Sequence, residues 1–242
     1  GSYNTHMQEF IFFFGHGFCH QITERTLESG GYYFSACARD TGIYLGFLFA
    51  IVAAFIVYAK TKQKPGDIAP WQVLVVLALF VTPMAYDGLT SYMGLRSTTN
   101  TIRYITGAFT GYAAGSLLVP LLFSLTKGSN TLRKIFTEPG KIVIHLLIAA
   151  ALTTVFFLAY PYLGIIAPLF AIVAFLILLG SINLILITLI PRLTPGHTMK
   201  NWLLLLALAL ALTLIEITLL GVAREAVELI FPGLNNISDI LR

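Results

Sequence analysis

Residues 202–222 read WLLLLALALALTLIEITLLGV, a run of twenty-one residues holding one charged side chain, Glu216. Wound as an α-helix at 1.5 Å per residue, such a run covers about 30 Å, the thickness of the hydrocarbon core of a bilayer. Backbone N–H and C=O groups cannot stay unpaired in hydrocarbon, so the run must be helical if it enters a membrane. Comparable apolar runs recur at 41–58, 71–86, 102–125, 142–160 and 165–190. Turn signals separate several of them: Lys64-Pro65-Gly66, Glu138-Pro139-Gly140 and Pro195-Gly196. The expected fold is an all-α, polytopic transmembrane helical bundle of about six spans.

Composition agrees. Of 242 residues, 57% are hydrophobic and 11% charged, and the mean hydropathy is +0.83. A soluble domain of this size could not cover its surface with so few charges. The formal charge of +4 does not imply a nucleic-acid partner, because no basic patch with interleaved aromatics accompanies it. The implied partner is membrane lipid, with self-association into a homo-oligomer left open. Residues 1–6 read as an exogenous remnant ahead of a native Met7, so His6 is set aside. No signal peptide is expected, since the apolar stretch at 10–14 is short and lacks a basic flank. The segment 8–18 (QEFIFFFGHGF) is also too short to span and is expected as an interfacial helix. Residues 224–230, ahead of Pro232-Gly233, are expected as a second one.

The basic residues divide by type. Loops after the first, third and fifth spans hold Lys60, Lys62, Lys64, Lys127, Arg133, Lys134, Lys141, Arg192 and Lys200, whereas the opposite side holds Arg25, Arg39, Arg96, Arg103, Arg224 and Arg242. Lysine serves as a solvated topology charge, while the arginine fork suits fixed pairing with carboxylate or phosphate. This places the lysine-rich loops in the cytoplasm and both termini outside.

Two polar clusters fall on the arginine side. The first is Cys19-His20-Gln21, Glu24-Arg25 and Cys37-Ala38-Arg39-Asp40. Cys19, His20, Cys37 and Asp40 are all competent zinc ligands, which makes zinc the implied cofactor. Two other readings stay open: a Cys19–Cys37 disulfide, natural outside the cytoplasm, or ordinary structural roles in which Asp40 caps the first span. The second cluster is Asp87, Arg96, Asn100 and Arg103. If the third span extends upward as one helix, Arg96, Asn100, Arg103 and Gly107 share a face. That stripe continues as Gly107, Gly111 and Gly115, a spacing that permits close helix packing. Arg25, Arg39, Arg96, Asn100 and Arg103 are the expected anion or head-group ligands, with an internal ion-pair network around Asp87 as the alternative. Glu216 should face the bundle with a partner, and Arg103 is expected to supply it. Asn183 is expected to make an interhelical hydrogen bond.

The stretches CHQITER (19–25), CARDTGIYLGF (37–47) and DGLTSYMGLRSTTNTIRYITG (87–107) resemble an uncharacterised family of small prokaryotic membrane proteins, described only as predicted membrane proteins of unknown function. The resemblance covers about residues 10–115. It implies a three-span unit at 7–125 carrying the motifs, followed by a three-span extension at 126–242, in a prokaryotic cell membrane. It brings no established activity. The family signature implies a cysteine where this chain has Asp40, an exchange that keeps a metal ligand.

Three functions follow as expectations. The first is an extracytoplasmic-facing enzyme acting on a lipid or phosphate-bearing head group, with zinc on the four ligands and Asp87 or Glu24 as acid/base. The second is a non-catalytic binding or assembly protein. The third is a transporter or channel, which the apolar lysine-side halves of the spans argue against.

Overall fold

The computed structural model describes residues 2–126, 128–190 and 199–230. Among the described residues there are seven α-helices: α1 (Ser2–Gly15), α2 (Ala38–Val57), α3 (Trp71–Tyr92), α4 (Asn100–Ser124), α5 (Pro139–Ala159), α6 (Ile166–Thr188) and α7 (Met199–Ile230). Among the described residues, six helices are long and apolar enough to cross a membrane, all but α1. At 14 residues, α1 reaches only about 21 Å. The protein is therefore an all-α polytopic bundle, and its spans coincide with the apolar runs. The turn read at Pro195-Gly196 and the break read at Pro232-Gly233 lie outside the described residues.

The centre of the bundle is α2, which has α4, α5 and α6 packed around it. Two-thirds of its apolar window is buried, against 11% for α3. The reason is glycine spacing on two helices at once. A Cβ on Gly107 or Gly111 would collide with the carbonyl oxygens of Arg39 or Ile43, and one on Gly42 or Gly46 with those of Tyr104 or Ala108. On Gly115 it would lie 2.7 Å from the Phe47 carbonyl. Both helices therefore present backbone rather than side chains, the close approach that small residues allow where lipid gives no hydrophobic drive. The glycine stripe is a packing device.

Among the described residues, four short strands escaped the hydropathy reading. β1 (Thr26–Ser29) and β2 (Tyr32–Cys37) form an antiparallel hairpin, turned by Gly30 and Gly31 with φ of 56° and 84°. A turn needing positive φ at both central residues is built for glycine. Ser29 Oγ donates to the Tyr160 carbonyl and pins the hairpin to the α5–α6 connection. β3 (Pro65–Asp67) and β4 (Asn130–Lys134) pair in parallel at the opposite, lysine-bearing end.

Two expectations about helix ends are corrected. Residues 224–230 are not a separate interfacial helix but the last turns of α7. A lone Gly221 costs only about 1 kcal/mol in a helix, and Arg224 Nε bonds Glu228 Oε1 at 2.7 Å across the following turn. At the third span, Thr99 accepts from the Ile102 N–H and caps α4, which begins at Asn100. Arg96 thus lies in the connection before α4, not on its face.

Candidate functional site

The site is assembled where α2 and α4 begin and α3 ends. The helix α1 closes in a turn, with the N–H groups of Phe18 and Cys19 both donating to the Gly15 carbonyl. Gln21 then holds the loop. Its Nε2 donates to the carbonyls of Phe12 (2.6 Å) and Ser35 (2.9 Å), joining α1 to β2. Its φ of 53° is the left-handed conformation, rare for a non-glycine residue. This brings Cys19 against the start of α2. There the Cys37 N–H donates to Cys19 Sγ at 3.2 Å, and Cys37 Sγ donates to Asp40 Oδ2 at 3.2 Å.

Cys19, Cys37 and Asp40 consequently offer two sulfurs and a carboxylate oxygen within 4.8 Å of one another. Both cysteines are free thiols. The hydrogen bond between them holds the Cys19 thiol below its ordinary range and, with burial, raises that of Cys37. His20, the fourth sequence candidate, is exposed and stands outside the close group. It lines the same cavity, of about 280 Å³, together with Cys19, Cys37, Asp40, Arg25, Arg39 and Arg103. Of the second sequence cluster, Arg103 reaches this cavity, and Asp87, Arg96 and Asn100 are not in its lining.

The second cluster is tied together from below. Asp87, 1% exposed, accepts from Arg39 Nη2 at 2.5 Å and from Arg96 Nη2 at 2.6 Å. Both of its oxygens are engaged and it does not line the cavity, so the acid/base role read for it gives way to an ion-pair role. Glu24 is exposed and likewise absent from the cavity wall. Asn100 Nδ2 donates to the Glu24 carbonyl at 3.1 Å, while its Oδ1 accepts from Arg103 Nη1 at 2.9 Å, aiming that guanidinium. Arg96 and Asn100 are thus positioned behind the wall, and Arg25, Arg39 and Arg103 form it.

Glu216 is not paired with Arg103. Its Oε2 accepts from Asn183 Nδ2 at 2.8 Å, and the same amide donates to Thr213 Oγ1 at 3.0 Å. The correction follows from packing, since α7 lies on α6 rather than on α4. The expected interhelical bond of Asn183 is this one. Sequence reading gave no partners to Gln21 and Arg224, which bond backbone carbonyls that no side-chain pattern announces.

The model of a family described as predicted membrane protein (DUF2085) matches residues 19–117, beginning at Cys19 and ending within α4. An uncharacterized protein of Methanothermobacter thermautotrophicus is 39% identical over 89 residues, which is 37% of this chain and 73% of that protein. The chain belongs to the DUF2085 family. A second relative, an uncharacterized protein of Methanocaldococcus jannaschii, is 33% identical over 107 residues. That alignment spans 44% of this chain and 65% of the relative, just under two-thirds of its length. No solved structure matches. Every cavity residue named above from Cys19 to Arg103 falls within the DUF2085 match, whereas α5, α6 and α7 lie beyond it.

Proposed function

We propose that this DUF2085 member is a metal-dependent membrane enzyme acting on a lipid with an anionic, phosphate-type head group. The observation that carries the reading is the shared cavity: a three-ligand Cys19–Cys37–Asp40 group and three arginines in the same lining. Two thiolates and a carboxylate are a zinc-type donor set, and three protein ligands leave a coordination position for water or substrate. His20, on the cavity rim, is the fourth ligand if the position closes. Bound zinc would supply a Lewis acid and an activated water. Arg25, Arg39 and Arg103 would hold an anionic group beside it, the guanidinium fork matching phosphate oxygens. The site lies at the arginine-bearing end, which on the lysine distribution is the extracytoplasmic face.

The test is elemental analysis of protein purified without affinity metals, followed by turnover assays on phospholipid vesicles and on soluble phosphate esters. One zinc per chain, lost in Cys37→Ser and Asp40→Ala, with release of product from vesicles only, is the expected result. Turnover of soluble esters alone would move the substrate out of the membrane. Metal-free protein with a Cys19–Cys37 disulfide by mass spectrometry would overturn the metal mechanism. Stoichiometric zinc without turnover of either substrate would favour the non-catalytic binding role.

A further inference from the structure

The last span reaches back to the cysteine loop. Arg224, near the end of α7, donates from Nη1 to the carbonyl of His16 at 2.7 Å and to that of Cys19 at 2.5 Å. More than two hundred residues of chain separate these partners. The guanidinium does not swing freely, because its Nε is held by Glu228 at 2.7 Å. A separate contact brings the same two elements together. A Cβ on Gly17 would lie 2.7 Å from Leu220 Cβ and 2.9 Å from the Gly221 nitrogen, so the loop rests on the α7 backbone itself. The loop is also held by the Gly15 turn, the Gln21 bonds, the edge contact of Phe18 with Phe175, the approach of His16 to Glu225 at 3.8 Å and the Cys37 N–H bond to Cys19 Sγ.

We infer that Arg224 is a positioning residue for the site, fixing the peptide of Cys19 so that its sulfur faces Cys37 and Asp40. The chemistry is that of an outer partner orienting a ligand. Arg224 is not among the residues lining the cavity. It acts through the Cys19 carbonyl, one residue's backbone away from the thiol. Such partners commonly carry a 10–100-fold effect on metal affinity. The family match ends at residue 117, so the extension beyond it contributes directly to the order of the site inside it.

For its zinc arm the inference rests on the metal reading above, and a second arm is independent of metal. Full-length protein in detergent or nanodiscs would be prepared as Arg224→Gln, Arg224→Lys and Glu228→Gln beside the unaltered chain. The first readout is zinc affinity by competition with a chromogenic chelator. The second is the rate of maleimide alkylation of Cys19 in chelator-treated protein, resolved from Cys37 by peptide mass spectrometry. Arg224→Gln is expected to weaken zinc about tenfold or more and to accelerate alkylation of the buried Cys19 by a similar factor. Glu228→Gln should give a smaller change of the same sign, and Arg224→Lys should recover much of the loss. A role confined to packing α7 would lower the thermal midpoint and leave both readouts where they were. Unchanged affinity and unchanged alkylation in folded Arg224→Gln, or in Glu228→Gln and Arg224→Lys should the first not fold, overturns the inference. If the unaltered protein takes up no zinc yet alkylation answers to Arg224, the clamp stands and the metal reading falls.

Discussion

Replacing Asp87 with leucine should unfold the top of the bundle more than any other single polar substitution in it. Asp87 is 1% exposed, and its two oxygens neutralise Arg39, whose side chain is 14% exposed, and Arg96, at 41%. Removing one partner of a buried ion pair costs about 3–5 kcal/mol, because the other charge is left uncompensated. The Arg96 arm is partly solvated and can turn to water, so its share is below about 1 kcal/mol. Nearly all the cost therefore falls on Arg39, whose Nε already has no hydrogen-bond partner. The expected loss for Asp87→Leu is about 3–4 kcal/mol, a drop of roughly 6–16 °C in the midpoint for a chain of this size. The double variant Asp87→Leu/Arg39→Met removes both buried charges and should return to within about 1 kcal/mol of the original, as apolar replacement of buried pairs does elsewhere. Both would be followed by thermal and denaturant unfolding in the same micelle. An Asp87→Leu protein as stable as the parent, or a double variant no better than the single, would refute the account of Asp87 as the counter-charge of Arg39.

Gly111→Val should be among the severe changes between α2 and α4, since a side chain there meets the Ile43 carbonyl directly. Overpacking of this kind costs about 1–3 kcal/mol or more, read as loss of monodisperse protein by size exclusion, and Gly115→Ala should be milder. Gln21→Ala removes its hydrogen bonds to the Phe12 and Ser35 carbonyls, a loss of about 1–3 kcal/mol, seen as a lower thermal midpoint and faster proteolysis between α1 and β2. Asn183→Leu takes the partner from Glu216 and should cost about 1–2 kcal/mol in micelle unfolding, while the same change in a Glu216→Leu background should cost clearly less.

The spans were legible because each is a long apolar run, and hydrocarbon accepts little else. Their ends were less so. α3 continues six residues past the expected 86 because Asp87 to Tyr92 are helix-compatible and Asp87 is neutralised inward. Cys19, Cys37 and Asp40 were named from residue type as competent ligands, and their ligand atoms lie within 4.8 Å of one another. His20 left the close group because neighbouring residues at a bend point in different directions. Arg103 was assigned to Glu216 on depth alone, but depth does not say which helices touch. The glycine stripe on α4 was visible, yet its complement, Gly42 and Gly46 on α2, sat unnoticed within an apolar run. Contacts to main-chain oxygens, such as those of Gln21 and Arg224, leave no trace in a pattern of side chains.

The parallel pairing of β3 with β4 bears on how the chain enters its bilayer. Lys64 and Asn130 are joined through main chain at 2.9 Å, as are Asp67 and Ile135 at 3.1 Å. Parallel strands cannot be closed by a tight hairpin and wait for the intervening chain to make its crossing. Here that crossing is an out-and-back passage of two whole helices through lipid. Should α3 or α4 fail to thread, the two strands would emerge on opposite leaflets and could never meet. The pairing of β3 with β4 can therefore close only once both α3 and α4 have crossed.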